Sequence, residues 1–574
     1  MGPAFEGVLP SIRRVVYRIR SVLLSQKSVN RRPRAEEFVA FAELNSVPAF
    51  TSSGTPRDWV DTPVHRKLPS VPMPILAAPL SRFSLRPHPH VYEINAWAWL
   101  TQLCARLGRN IDLATVPDAE WDALAQLGFD AVWLMGVWQR SPVSRSITLE
   151  DPANFPNFER ALPGFSPADV VGSPYSVMQY VPDARMGSWE TLDRTREKLH
   201  SRKMALFLDF VGNHTARDNP WIHDHPAFYV QGSLQDFQNN PSLFFQANTA
   251  QGPRYIALAK DPYFPPWTDV AQLNHFQPEM RAAHLAQLRV IAQHCDGVRC
   301  DMAMLLLNDI FEKNWSHLLG NTPSPVKEFW TEVREAVPNL ILLAEAYWGT
   351  EPRLIDLGFS FAYDKTLYDA VRNADVGAIQ ARLSGTQDQQ SHYARFLENH
   401  DEPRRAEVIP NDRLSAAGTL MGTLPGMRFY QQGEIEGNRI RLPITLAVAA
   451  PEPTDPFSNA FFQKILSLTR ENVFHHGKWN MLDVSAEGYT SPLGLIVYEW
   501  RSQQAWKVIA VNLAAGASQG RVRFADTVSK TQQYIFYDQL NEVRYDRSGE
   551  ELHGVGLFVR LEGFQAHIFD VTRA

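Results

Sequence analysis

The sequence is poor in cysteine and has no long apolar run, and each shortage excludes a class of protein. Its 574 residues include only three cysteines, Cys104, Cys295 and Cys300. Cys295 and Cys300 flank the predicted strand Asp296–Arg299, which indicates packing rather than the disulfide framework of a small secreted domain. No apolar run approaches the ~20 residues that a membrane-spanning helix needs. We therefore expect a cytoplasmic protein without a transmembrane segment.

The chain also has no excess of positive charge. Its net charge is −6, so the basic footprint of a nucleic-acid partner is missing. The 44% hydrophobic and 21% charged residues are typical of a globular protein. Aromatic residues reach 11% and include 15 tryptophans. Such a content suits a carbohydrate cleft, where rings stack on sugar faces, although a large core uses tryptophan too.

Residues 1–90 differ in composition from the rest of the chain. Residues 1–35 contain eight Lys or Arg and a single acid, Glu6, with apolar residues at helical spacing. Residues 36–90 are rich in Pro and Ser and show little periodicity. We interpret 1–90 as a basic N-terminal extension. An organelle-targeting segment is the alternative to a cytoplasmic location, and a disordered tail has the same composition.

From Val91 onward, short apolar runs alternate with longer amphipathic stretches, a pattern typical of repeated β-α units. The predicted strands are 91–95, 131–135, 204–208, 297–299, 340–343, 359–362, 393–397 and 427–430. Eight strands with helices between them predict an α/β fold, a (β/α)8 TIM barrel built from residues 91–214 and 276–480.

Two segments do not follow the β-α pattern. Residues 215–275 are crowded with Pro, Asn, Asp and aromatic residues, and they are too long for a connecting loop. We predict that they form an excursion domain inserted after strand 3. Residues 481–574 contain β-like runs without helices between them, which predicts a C-terminal antiparallel β-sandwich.

Acidic and histidine side chains stand at the ends of four predicted strands. They belong to the segments Asp209–His214, Gly297–Asp301, Ala344–Glu345 and Asn399–Asp401. Because the C-terminal ends of barrel strands converge on one face, such residues can share a pocket. Three acids beside an arginine and two histidines are what cleavage of a glycosidic bond requires.

The neighbours of two acids predict different protonation states. Arg299 precedes Asp301 by two residues on one strand, so both side chains point to the same side. The guanidinium should keep the carboxylate ionised, which favours a nucleophile. Glu345 follows a strongly apolar strand, where desolvation favours the protonated form of a general acid.

The third acid, Asp401, can accept hydrogen bonds from sugar hydroxyls and help to distort the ring. His214 and His400 would donate to hydroxyls of the same sugar. Asp209 taken alone has a structural explanation as well, because a single Asp after a strand is usually a cap or turn residue.

Together these segments resemble the signature segments of the α-amylase family. The matching segments are Asp209–His214, Gly297–Asp301, Leu343–Glu345 and Phe396–Asp401, with the accessory segments 269–274 and 426–434. The resemblance covers about residues 91–570. It implies that Asp301 is the nucleophile, Glu345 the general acid/base and Asp401 the stabiliser of the transition state.

The same resemblance implies roles for further residues. It assigns substrate binding to Tyr175, Asp209, His214, Arg299 and His400, and Tyr175 would stack on the bound sugar. The residue that matches Asn213 is a calcium ligand in many relatives. Asn213 itself either binds calcium or holds its own loop. We expect no required cofactor, with calcium as the one candidate metal.

Departures from the family pattern leave the substrate open. Ser176 follows Tyr175 where exo-acting members usually have Asp, which disfavours a strict exo-glucosidase. Residues 302–306 are apolar where endo-amylases usually carry a Lys-His pair, which disfavours an ordinary starch-degrading amylase.

We therefore predict a retaining α-glycosidase that acts on α-linked glucans or oligosaccharides through a covalent glycosyl-enzyme intermediate. A glucosyltransferase or isomerase for trehalose- or sucrose-type substrates, using the same intermediate, is the alternative. A non-catalytic glucan-binding relative is the third interpretation. The sequence leaves the linkage and the oligomeric state open.

Overall fold

The chain folds around a closed barrel of eight parallel strands. The computed structural model describes residues 83–320, 322–486, 494–524 and 528–574. The barrel strands are β1 (His90–Asn95), β2 (Ala131–Met135), β3 (Ala205–Val211), β4 (Gly297–Asp301), β5 (Ile341–Ala344), β6 (Phe361–Tyr363), β7 (Tyr393–Arg395) and β8 (Met427–Gln431). Each strand pairs with the next, and β8 returns to β1. The predicted barrel is confirmed, and all eight predicted strands are present.

The barrel strands are apolar runs because both of their faces are covered. Every residue of β2 and of β3 is buried, as expected for parallel strands between a core and a layer of helices. β3 is longer than its predicted span of 204–208. Asp209 still pairs with Arg299 of β4 in the ladder, so this acid lies inside the strand rather than beyond its end.

Helices connect the strands, and the first of them has ordinary caps at both ends. The helix after β1, Ala96–Leu107, begins where the Asn95 side chain accepts from the amide of Ala98, and it ends at Gly108, whose φ is +64°. The other helices between barrel strands are Asp118–Leu127, Pro142–Glu150, Phe155–Ala161, Trp189–His200, Pro278–His294, Asn308–Leu319, Phe329–Ala336, Glu351–Asp356, Lys365–Arg372, Val376–Leu383, Gln387–Ser391, Arg405–Val408 and Asn411–Thr423. After β8 follow Pro456–Thr469 and Val473–His476.

The segment after β3 carries its own small sheet. Strands Gln231–Gly232, Phe244–Thr249 and Gly252–Ala257 pair antiparallel, with helices Pro220–Asp224 and Leu234–Asn239 beside them. Strand His214–Ala216 pairs with Val270–Gln272, which returns the chain towards β4. A second two-stranded pair, Trp138–Arg140 with Val177–Pro182, follows β2.

The C-terminal part is built from two antiparallel sheets, as predicted. The larger sheet contains Lys478–Met481, Leu495–Arg501, Trp506–Asn512, Gln533–Asp538, Val543–Ser548 and Ala566–Arg573. The smaller contains Val484–Ala486, Ser518–Val522 and Leu557–Leu561, and the helix Gly549–Gly554 lies between strands. Buried side chains such as Val497, Phe536 and Val559 form the core of this part.

Some predictions on organisation are not tested here. Residues 1–82 of the predicted N-terminal extension lie outside the described residues. The domain bounds at 214, 276 and 480 stay predictions. Within the described ranges, no helix has both the length and the apolar character to cross a membrane.

Candidate active site

A cavity opens at the C-terminal end of the barrel strands. Its volume of about 320 Å³ lies at the lower end of the roughly 300–1,000 Å³ usual for small-molecule sites. It is lined by Ser173, Tyr175, His214, Trp267, Asp269, Val270, Asp301, Met302, Glu345, Tyr347, Asp401 and Ile444. The barrel thus brings the three predicted acids into one cavity from three different strand ends.

Arg299 joins two of these acids beneath the cavity. Its Nη1 lies 2.7 Å from Oδ1 of Asp301, and its Nη2 lies 2.8 Å from Oε2 of Glu345. The guanidinium is almost wholly buried and packs against the rings of Trp133 and Tyr175. One rigid cation therefore fixes both carboxylates, which we call the Arg299 half of the site.

Glu345 has the environment of a proton donor. Besides Arg299, the amide of Met302 donates to Oε2 at 2.7 Å and the hydroxyl of Tyr347 to Oε1 at 2.7 Å. Burial raises the pKa of Glu345 to about 7, although the charge of Arg299 opposes this shift. A group with this pKa holds its proton at neutral pH for a substantial fraction of the time, as a general acid must.

Burial and the predicted cation act on Asp301 in opposite directions. The predicted contact with Arg299 is present, and burial, the larger influence, raises the pKa of Asp301 above its ordinary value. That the carboxylate is ionised stays a prediction. The side chain is 8% exposed, so little water remains to stabilise its charge. The spacing of Arg299 and Asp301 in the sequence predicts their contact. It does not predict that burial raises the pKa of Asp301.

His400 lies between Asp401 and an acid that the sequence analysis missed, Glu93 on β1. His400 Nδ1 is 2.5 Å from Oε1 of Glu93. Its Nε2 is 3.0 Å from Oδ2 of Asp401 and 2.9 Å from the hydroxyl of Tyr175. These four residues form the His400 half of the site. In the sequence, Glu93 could have been recognised as a candidate because it is an acid inside the otherwise apolar run of β1.

Glu93 and Asp401 determine the protonation state of His400, and His400 in turn determines that of Asp401. Burial alone would lower the pKa of His400, but Asp401 and Glu93 outweigh it and raise this pKa to about 10. Burial likewise acts to raise the pKa of Asp401, yet His400 and Arg299 lower it to about 2. At neutral pH the imidazolium and the Asp401 carboxylate are therefore both charged.

His214 and Asp269 occupy the side of the cavity formed by the segment after β3. The His214 ring lies 5.5 Å from the ring of Trp267. Burial lowers the pKa of His214 to about 4, so it is a neutral ring that can donate from one nitrogen. Asp269 accepts from the hydroxyl of Ser144 at 2.6 Å. In the sequence, Asp269 belongs to the accessory segment 269–274, a position that predicts no role for its side chain.

Three residues predicted to bind substrate lie behind the cavity instead. Arg299 and His400 are buried and orient the acids, as described above. Asp209 accepts from Nε1 of Trp133 at 3.0 Å and from the amide of Gly136 at 2.7 Å. Burial raises the pKa of Asp209 to about 6. Because internal donors already occupy its oxygens, Asp209 holds the barrel rim in place. Tyr175 and His214 line the cavity, and their binding of substrate stays a prediction.

The surroundings of Asn213 do not fit a calcium ion. Nε2 of Gln272 donates to both Oδ1 and the backbone oxygen of Asn213 at 3.0 Å. An amide donor therefore stands where a cation would need an oxygen ligand. Among the described residues no cluster of three His, Cys, Asp or Glu side chains is arranged to hold a metal. Asn213 holds its loop, the second of its two predicted roles.

Comparisons with known proteins agree with this geometry. A family model for the catalytic domain of alpha amylase matches residues 118–440. Alpha-amylase 3 of Dictyoglomus thermophilum is 25% identical over 283 residues, 44% of this chain and 52% of that protein. A trehalose synthase of Thermus thermophilus is 24% identical over 241 residues, 38% of this chain and 25% of that protein. The chain thus spans about half, or less, of the length of these curated relatives.

Solved structures show the same fold. A maltogenic alpha-amylase from Thermotoga neapolitana superposes with a TM-score of 0.58 over 84% of this chain and 98% of that one. The sequence identity is 18%, so this likeness shows the fold alone.

Proposed function

Because this chain belongs to the α-amylase family, we propose that it is a retaining α-glycosidase acting on α-linked glucans or oligosaccharides. The observation that carries the proposal is the single guanidinium of Arg299, which holds Asp301 and Glu345 side by side at the cavity floor. A retaining enzyme needs its two carboxyl groups about 5–5.5 Å apart, because no water stands between nucleophile and sugar.

In the first step, Asp301 attacks the anomeric carbon while the bond to the leaving oxygen breaks. Glu345 gives its proton to that oxygen, so the leaving sugar departs as an alcohol. The pKa of about 7 suits Glu345 for this task. The positive charge that develops on the ring is offset by the ionised carboxylates of Asp301 and Asp401.

In the second step, Glu345, now a carboxylate, takes a proton from the incoming hydroxyl, and that oxygen displaces Asp301 from the anomeric carbon. Two inversions restore the α configuration. The incoming group decides the class: water makes the protein a hydrolase, and a sugar hydroxyl makes it a transferase or isomerase. The likeness to a trehalose synthase and the apolar Met302 in the cavity wall favour transfer as the second candidate.

The proposal includes a cytoplasmic location and no required cofactor. The three cysteines support the location, since all of them are free thiols. Arg299 and His400 supply the positive charges that hold the three acids in both steps. The residues at the site therefore perform a task that a metal ion would otherwise perform.

The testing experiment is product analysis on maltooligosaccharides, starch, sucrose and trehalose, with Glu345→Gln as the matched inactive control. NMR of the first products should show the α-anomer from the wild type and no turnover by the variant. Longer or rearranged sugars would assign the protein to the transferases or isomerases. A β-anomeric first product would overturn the retaining mechanism.

A further inference from the structure

One buried carboxamide joins the two segments that form the His214 side of the cavity. Gln272 is fully buried and stands opposite His214 where strand Val270–Gln272 pairs with strand His214–Ala216. His214 from one strand and Val270 from the other line the cavity. Bonds from Gln272 to the segment of His214 therefore fix these two parts of the wall relative to each other.

Three oxygens converge on the amide nitrogen of Gln272. Its Nε2 lies 3.0 Å from the backbone oxygen of Asn213, 3.0 Å from Oδ1 of Asn213 and 3.1 Å from the backbone oxygen of Leu273. An amide nitrogen carries two hydrogens, so the three acceptors share them. Exchanging the nitrogen and the oxygen of this amide would bring four oxygens together, which determines its orientation.

This set of oxygens is of the kind that surrounds a cation. Backbone carbonyls and the side-chain oxygen of asparagine are calcium ligands in proteins, but calcium sites also use carboxylates, which offset the charge of the ion. All three oxygens around Nε2 of Gln272 are uncharged. The hydrogens of one amide thus stand where an ion would, and they supply the partial positive charge that buried acceptors require.

The contacts continue from Asn213 to the cavity. Nδ2 of Asn213 lies 3.3 Å from Nδ1 of His214 and 3.5 Å from Oε1 of Gln272. The backbone oxygen of Asn213 also accepts from the amide of Leu273 at 3.2 Å. Because Asn213 contacts the ring of His214, a displacement of Asn213 would disturb the wall of the cavity.

We propose that Gln272 is a positioning residue whose carboxamide replaces a metal ion in the loop of Asn213. It holds Asn213 and, through Asn213, the ring of His214, so this part of the wall keeps its shape without an ion. A shorter carboxylate at position 272 would reverse the arrangement, because it removes the hydrogens and adds the charged ligand that the oxygens lack. Calcium binding and stability test this role without any sugar, independently of the proposed function.

The test replaces Gln272 by Asp and by Met. Gln272→Asp is one methylene shorter, so its carboxylate leaves room for an ion at the position of Nε2, whereas Gln272→Met keeps the length and cannot donate. In EDTA we expect both melting temperatures to fall by about 5 °C, because the oxygens of Asn213 and Leu273 lose their donor. Calcium at about 10 mM should restore the melting temperature of Gln272→Asp alone.

Isothermal titration calorimetry with calcium chloride measures the created site directly. Gln272→Asp should bind one ion per chain with a Kd at or below about 1 mM, and the wild type and Gln272→Met should show no such binding. Gln390→Asp is the matched control. Gln390 is also buried, but its Nε2 donates to one backbone oxygen, that of Arg382 at 2.8 Å. Its Asp variant should therefore lose stability without any response to calcium.

Kinetics on a sugar that the wild type turns over measure the positioning role. In EDTA, Gln272→Asp should have a KM about tenfold above that of the wild type and a smaller change in kcat, because the displaced ring of His214 belongs to the cavity wall and to neither chemical step. Calcium should restore KM in Gln272→Asp and not in Gln272→Met.

A wild type that binds calcium, or that loses stability in EDTA, would overturn the proposed role of Gln272. A Gln272→Asp protein that stays unstable or unfolded in calcium would contradict it as well, and so would equal recovery of Gln272→Met. An unchanged KM for Gln272→Asp in EDTA would refute the positioning of His214. If the calcium response is as expected but the wild type acts on no sugar of the panel, the proposed function fails and the role of Gln272 stands.

Discussion

The two halves of the site each place one buried cation between two acids, yet they shift the acids in opposite directions. The pKa of Glu345 in the Arg299 half rises to about 7, whereas that of Asp401 in the His400 half falls to about 2. Neighbouring charges separate them: the charges of Asp301 and Asp401 add to the effect of burial on Glu345, whereas His400 and Arg299 together outweigh the burial of Asp401. A neighbouring cation alone does not make an acid strong; burial and the other charges around the acid decide how far the cation prevails.

This difference gives the site one group that can part with a proton and one that stays charged. Glycoside cleavage needs both at the same pH. Variants of each half should separate these two tasks, and those of the Arg299 half should have the largest effect.

Replacing either acid of the Arg299 half should nearly abolish turnover. We expect kcat to fall by about 10⁴-fold in Asp301→Asn and by about 10²–10⁴-fold in Glu345→Gln, because the first loses the nucleophile and the second the proton donor. Steady-state kinetics on the best substrate of the panel measures both losses.

Azide distinguishes the two acids. With an activated aryl glycoside, Asp301→Gly should form the β-glycosyl azide and Glu345→Gly the α-glycosyl azide, since azide replaces the nucleophile in one and the incoming hydroxyl in the other. The reverse pairing of anomers would exchange the two roles. The wild type should also lose kcat/KM as pH rises through about 7, because Glu345 then loses its proton.

A change in the His400 half should alter the titration of His400 more than the maximum rate. In Glu93→Gln the imidazolium loses one of its two acids, so its pKa falls from about 10. We expect a fall of about one pH unit, which leaves both His400 and Asp401 charged at neutral pH. The measurement is an NMR titration of the His400 ring, with kcat/KM followed over the same pH range.

Asp130→Asn is the control for Glu93→Gln. Asp130 is also buried, and it accepts from the amide of His90 and from Arg86 at the far end of the barrel. Its loss should lower the melting temperature and leave the pKa of His400 where it is. If both variants lower that pKa equally, the effect is general destabilisation and Glu93 has no positioning role.

Trp348 should have a smaller effect, confined to KM. It follows Tyr347, which lines the cavity, it is 43% exposed, and its ring meets that of Tyr263 edge-on. In Trp348→Ala we expect KM for longer chains to rise roughly 2–10-fold with kcat unchanged, because an exposed ring that can stack on a further sugar is lost. Phe457→Ala, another exposed aromatic residue, provides the comparison. An equal effect on maltose and on maltopentaose would contradict a stacking role for Trp348.

Chelation should have no effect at all. Because protein cations hold the acids in both halves, treatment with EDTA is expected to change neither activity nor melting temperature. A loss that calcium restores would show that the loop of Asn213 binds a metal despite its bond to Gln272.

The barrel could be predicted from the sequence because each strand is an apolar run bounded by polar residues. Asp301, Glu345 and Asp401 could be located for a related reason: carboxylates at strand ends are conspicuous, and barrel geometry brings them together. The sequence could not reveal how deeply each of these carboxylates is buried. Asp209 follows the same pattern, yet two internal donors occupy its oxygens.

Contacts between distant loops were the other limit. Glu93 contacts His400 only because β1 lies near β7 in the closed barrel. The positions of the two residues in the sequence do not predict this contact. The main-chain bonds that join residues 169–171 to residues 445–447 link irregular segments, which have no periodicity to detect. The loops around the cavity were therefore harder to predict than the acids, because the acids lie at strand ends.

Closure of the barrel also decides when the site can exist. Glu93 and His400 are 307 residues apart, and β1, which pairs with β2 on one side, finds its second partner only when β8 has been made. At about 5–20 residues per second, the ribosome needs roughly 15–60 s to cover that separation. During this interval β1 exposes an unpaired edge and a carboxylate without its histidine. The nascent chain must therefore be kept from aggregating until its last barrel strand emerges, and the complete catalytic centre is among the final features that synthesis delivers.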